Sequence, residues 1–222
     1  MRQVLTGILL SISVLTFGQV ETEVSITELI KEIQQWNKKD NKMSLAWWIP
    51  NEYWRIALKD NKQIPEEAID QIENVLEDYI MIWACDLTIN SDGTMKYTTE
   101  EEINKSITVL DNNNKKYFPL EKNEIDGEAL AIAENMKPVF SQTLGQMGRG
   151  IQFYFFKVID QSEKKLIDPK LPGQFKVSHS DSDFLWKLPL STLTPPKFCP
   201  VDKEKMKGTW SYCPIHGQKL EN

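Results

Sequence analysis

Apolar and polar positions along this chain switch repeatedly between helical and alternating periods, and each switch predicts an element. Ile26, Leu29, Ile30 and Ile33 recur at helical spacing. Ser25 as N-cap with Glu28 three residues on, and Val24 set against Leu29, add a capping box and a hydrophobic staple. A short helix is expected there, followed by a polar loop over 37–42. The clearest helical pattern covers 65–83. Pro65 and the acids Glu66 and Glu67 suit its first turn, and Ile69, Ile72, Leu76, Tyr79, Ile80 and Trp83 form one stripe. Residues 81–90 then turn β-rich, and Asp92-Gly93 marks a hairpin. A second hairpin is expected around the polar run 111–114. Residues 126–147 are again helical in pattern, with Pro138 expected to kink or split the helix and the glycines of 144–150 to end it. The run 151–159 is apolar on both alternating faces, as in a central strand covered on both sides. Strands follow at 174–177 and 183–190, where Phe184, Trp186 and Leu188 share a face. Pro195 and Pro196 make 191–197 an extended linker.

Trp47, Trp48, Tyr53 and Trp54 crowd into one short stretch around Pro50. Large aromatics dominate cores, so a buried wedge is the expected role. A platform for a sugar or peptide is the competing one.

The N-terminus changes the setting. Arg2, an apolar run from Val4 to Phe17, and small residues Thr16 and Gly18 read as a secretory signal over 1–18, cleaved before Gln19. The run is shorter than the ~20 residues a spanning helix needs, so no transmembrane segment is expected after cleavage. The chain would be exported, periplasmic or secreted. Formal net charge is −6 for the whole chain and −7 without Arg2. An acidic chain lacking a basic block is a poor binder of nucleic acid and of anionic membrane surfaces. The three cysteines are Cys85, in an apolar run and expected to be a buried small hydrophobe, and the pair Cys199 and Cys213.

That pair carries the most specific chemistry. Cys199-Pro200-Val201-Asp202 and Cys213-Pro214-Ile215-His216 are matching steps with ten residues between them. Each sets a thiol and a second ligand type at a two-residue gap, so Cys199, Asp202, Cys213 and His216 could complete a four-ligand shell. Gly208 and Gly217 permit the tight turns this needs. The stretch 198–220 resembles a zinc ribbon, most closely in its closing phrase from Tyr212 to Leu220. The resemblance implies a structural zinc ion. The departures are Asp202 and His216 where a ribbon more often has cysteine. In an oxidising compartment a Cys199–Cys213 disulfide is the other use of the same residues. Either way the tail reads as a structural clasp.

Elsewhere the inventory is thin. His179 lies in a Ser/Asp-rich run with Asp181 and Asp183, expected to be a solvated hairpin tip. The run 111–122 ends on Lys122, which rejects a calcium loop. The glycines near 145–150 lack the lysine of a phosphate loop. Glu52 beside the tryptophans is the one candidate acid for a glycosidase. The expected architecture is α+β, with N-terminal helices packed on a largely antiparallel sheet or sandwich over 19–193 and a Pro-linked Cys/His hairpin over 194–222. The expected function is a non-catalytic exported module binding a partner protein or envelope ligand. The alternative is an envelope-polymer hydrolase with Trp47, Trp48 and Glu52 near its cleft.

Overall fold

The computed structural model describes residues 24–159 and 165–221; the expected signal segment and its cleavage point lie outside them. The fold is α+β, and every strand pairing is antiparallel. The chain opens with helix α1 (Ile26–Ile33), strands β1 (Gln34–Lys39) and β2 (Lys42–Ile49), helices α2 (Glu52–Leu58) and α3 (Glu66–Leu76), and strand β3 (Tyr79–Ile89). Then come β4 (Met95–Tyr97), α4 (Glu100–Asn104), β5 (Thr108–Leu110), β6 (Lys116–Tyr117) and the long α5 (Gly127–Leu144). Strands β7 (Gln152–Lys157), β8 (Gly173–His179), β9 (Ser182–Leu188), β10 (Lys197–Phe198) and β11 (Lys205–Met206) complete the chain. Among the described residues no helix is long and apolar enough to cross a membrane.

Three layers share one core. The first sheet runs β1-β2-β3, with β4 and β7 sharing the far edge of the long β3; the second runs β6-β5-β8-β9. Adjacent residues of β2 face opposite ways, as pleating requires. Trp47 meets Phe140 of α5 at 4.5 Å, and its register partner Trp83 meets the same ring at 4.3 Å. Trp48 faces the second sheet, 4.8 Å from Phe175, which stacks on Trp186 at 5.0 Å. Edge-on contacts of this kind suit the ring quadrupoles. Trp47, Trp48, Tyr53 and Trp54 are all buried, so the aromatic stretch is core.

Several expectations need correction. The polar run 37–42 is no loop but the end of β1, the hairpin turn at Asp40 (φ 54°) and the start of β2. A lysine-rich edge strand has no apolar alternation to announce it. The helix expected over 65–83 stops at Leu76, and Tyr79, Ile80 and Trp83 belong to β3. Pro138 does not split α5, which continues to Leu144. β7 is buried on both faces at Tyr154, Phe155 and Phe156 but pairs only with β3. Its outer edge is covered by a loop, whose Leu120 N–H donates to the Phe155 carbonyl at 2.7 Å. The turns at Asp92-Gly93 and 111–114 form hairpins as expected.

The tail has a core of its own. Cys199, Met206, Cys213 and Leu220 form a cluster separate from the main one. Four side chains are far too few to hold a chain segment by burial alone.

Candidate metal centre

The two C-P-x-x steps fold as near copies. Cys199 accepts the Lys203 N–H at 2.8 Å and donates its own N–H to the Glu204 carbonyl at 3.0 Å. Cys213 accepts the Gly217 N–H at 2.9 Å and donates to the Gln218 carbonyl at 2.7 Å. In both, the residue four past the cysteine is left-handed, Lys203 at φ 60° and Gly217 at φ 65°. Glycine adopts this freely, whereas Lys203 carries the Cβ strain.

Each turn aims main-chain N–H groups at its own sulfur. His216 N–H lies 3.4 Å from Cys213 Sγ, joined by that of Ile215. Asp202 and Val201 do the same for Cys199. Such donors favour thiolate. At Cys199 burial prevails and holds the thiol above its ordinary range. At Cys213 burial also pushes upward, but the N–H groups of His216 and Ile215 and the side chains of His216 and Cys199 outweigh it, and the thiol is lowered. The two sulfurs are therefore biased in opposite directions, Cys213 toward the thiolate and Cys199 toward the thiol.

The ligand atoms of Cys199, Cys213 and His216 all lie within 4.8 Å of one another. His216 Nδ1 is 3.4 Å from Cys199 Sγ and 3.7 Å from Cys213 Sγ. An ion with roughly 2.3 Å bonds to sulfur and 2.0–2.1 Å to nitrogen, at tetrahedral angles, sets the S···N edge at about 3.5 Å. The two observed edges bracket that value, so this Cys2His group could hold a metal ion. Both cysteines are free thiols, near each other but unbonded. Asp202 stands beside the group. Its Oδ2 is 3.6 Å from His216 Nδ1, while Oδ1 accepts the Glu204 N–H at 3.0 Å. The Glu204 N–H, then the Cys199 side chain and the His216 charge, lower its carboxyl pKa.

The other candidates do not gather. The turn at 180–181 is a hairpin tip, but His179 beside it is fully buried. It stacks on Phe184 at 5.1 Å, and its Nε2 donates to the Leu45 carbonyl at 2.9 Å. Asp183 turns instead to Lys176 and Ser178, and Asp181 to Lys42. Trp47 and Trp48 are in the core and line no cleft, and Glu52 pairs with Lys170 at 2.9 Å. Cys85 is buried, its thiol pushed up to about 12 by burial first and the Asp86 charge second. It is inert as a nucleophile at neutral pH.

One polar feature went unread in the sequence. Asp86 is a buried carboxylate in β3, accepting Ser44 Oγ–H at 2.6 Å and Thr98 Oγ1–H at 2.8 Å. A lone acid inside an otherwise apolar strand was the available signal.

Comparison with protein-family profiles, with curated proteins and with solved structures finds no match.

Proposed function

We propose that this protein is an exported, non-catalytic binding module whose C-terminal knuckles form a structural zinc clasp. The observation that carries the clasp is the convergence of two near-identical turns, each donating N–H groups to its own sulfur, on one Cys2His cluster with tetrahedral edges. Zinc suits two thiolates and an imidazole better than hard cations do. Asp202 lies outside the three-residue group, and with its Oδ2 3.6 Å from the imidazole it is our candidate for a fourth ligand. The small tail core gives the ion its task, since binding energy at such a site is folding energy. Export rests on the charged and apolar leader read at 1–18.

Native mass spectrometry of the exported protein tests both parts. The expected species starts at Gln19 and carries one zinc, which a chelator removes. A metal-free species two mass units lighter than the reduced chain would mean a disulfide and end the zinc reading. Full-length chain confined to the cytoplasm would end the export reading.

A further inference from the structure

We propose that the groove between β9 and the loop joining the two knuckles is the protein's binding site, and that it takes an extended, acidic peptide segment of a partner protein. This rests on the binding-module reading above and names its site. The groove encloses about 570 Å³, within the usual range for ligand clefts.

β9 lines the groove along its outer edge. His179 and Ser182 close the two-residue turn between β8 and β9. The pair flanking such a turn exchanges both hydrogen bonds, and bonded and unbonded pairs then alternate. Phe184 and Trp186 therefore bond to β8, while Leu185 and Lys187 turn their N–H and C=O groups outward. The Leu185 carbonyl is taken by Gln35 Nε2 at 2.8 Å. Among the described residues none pairs with the main chain of Lys187 on that side, which opens on the groove. An unpaired edge is a template for an added strand.

The chain is acidic overall, yet Lys187 and Lys207 line the groove. Neither is in an ion pair among the described residues, although Lys207 Nζ lies 5.9 Å from the centre of the Trp210 ring and its charge reaches Glu28. Glu32, the acid in the lining, already accepts the Thr192 N–H at 3.0 Å and its hydroxyl at 2.6 Å. Leu185 and Trp210 remain 48% and 37% exposed beside these lysines. An extended segment alternating acidic and apolar side chains matches them with period two.

The groove meets the knuckles through its outer wall. The outer wall is the segment 207–210, whose two ends run into the two knuckles. Gly208 lies so close to the proline linker that a Cβ would fall 2.0 Å from the Pro195 carbonyl oxygen. Thr209 Oγ1 donates to Ser191 Oγ at 3.2 Å, and Lys197 Nζ donates to the Trp210 carbonyl at 2.9 Å. An ion holding Cys199, Cys213 and His216 fixes both ends of that wall. By linkage, ion and peptide then favour each other's binding.

Calorimetric titration of the zinc-loaded exported protein tests this, with a capped six-residue peptide alternating glutamate and leucine as probe. Its counterpart with lysine for glutamate, and dodecanoate, are the comparison ligands. One saturable site is expected for the acidic peptide, tighter than the lysine peptide by about tenfold or more. Lys187→Glu with Lys207→Glu should weaken it by a similar factor, and Gly208→Val should weaken it with zinc content unchanged. Equal binding of both peptides, indifference to the lysine changes, or binding of dodecanoate alone would overturn the site. Undiminished peptide binding after chelation would overturn the link to the clasp and leave the clasp standing. A protein that binds the acidic peptide but never holds zinc would fail the clasp reading alone.

Discussion

The body of the molecule packs Trp48 of one sheet edge-on against Phe175 and Trp186 of the other, and Trp47 and Trp83 edge-on against Phe140 of a helix. The tail gathers four buried side chains, two of them cysteines. Burial of large rings is enough for the first, because each removes roughly 150–250 Å² from water. It cannot be enough for the second, and there the main chain is bent into two turns whose N–H groups serve sulfur. Where area runs short, directed bonds take over, and directed bonds need specific residues at fixed spacings. That is why the tail is recognisable from so few letters and the body only from its patterns.

Removing area from the body should give the largest effect. Trp83→Ala takes a fully buried ring from between β2, β7 and α5. A loss of about 3–5 kcal/mol is expected in denaturant unfolding. Zinc content of the folded fraction should stay the same. A loss below about 1 kcal/mol would mean that the aromatic layers carry less than their burial implies.

A smaller effect comes from the one histidine inside the body. His179 Nε2 is satisfied by Leu45, while Nδ1 is buried without a partner. Burial lowers its pKa below the ordinary 6.5, against the Leu45 contact and the Asp86 charge, which raise it. The unfolded chain therefore binds a proton that the folded chain refuses. The neutral ring's contribution is complete above about pH 6.5 and is lost as pH falls toward the folded pKa, by up to ~1.4 kcal/mol per pH unit. Urea midpoints between pH 7 and 5 should show this slope. His179→Gln should flatten it relative to the parent; an unchanged slope would place the titration elsewhere.

A weaker effect still is expected at Arg55, which joins α2 to Glu66, Asp70 and Glu73 of α3. It is 38% exposed, so solvent screens the network, and Arg55→Ala should cost about 1 kcal/mol or less, shrinking in high salt. A salt-independent loss would point to packing of its stem instead of charge.

The same contrast governs what the sequence disclosed. Turns carried by their own residues were legible: Asp92-Gly93 closes β3 on β4, and Asp111 caps the second hairpin through the N–H groups of Asn113 and Lys115. The Ser25 cap formed, although Glu28 pairs with Lys31 and leaves the box half made. Full capping boxes lie at Thr99 with Glu102 and at Glu121 with Glu124, on helices of five and three residues that are too short to show an apolar period. Tyr79, Ile80 and Trp83 prolonged a helical stripe by coincidence of spacing, and only pairing with β2 and β7 makes them strand. His179 was obscured by its Ser/Asp neighbours, yet it continues the alternation of Phe175 and Val177 onto the buried face. In the tail, spacing alone pointed to Cys199, Cys213 and His216. The N–H donors to sulfur were invisible, because main-chain direction is not written in side-chain identity.

The last expectation is a null effect on one region beside a complete effect on the other. If directed bonds alone hold the tail, undoing them should leave the body untouched. Cys213→Ser removes one sulfur, and with it the partner of Ile215 N–H, His216 N–H and His216 Nδ1. If the proposed zinc is bound, it should fall from one equivalent to none, and amide exchange should accelerate across the tail, including the Gly217 and Gln218 bonds that shape the second turn. The hydrogen bond from Thr209 to Ser191, at 3.2 Å, joins the two regions. The body's unfolding midpoint should stay where it was, read from the fluorescence of its buried tryptophans. A midpoint that falls with the zinc would show the tail to be part of the body's cooperative unit, with the four-residue cluster continuous with the main core in energy though separate in space.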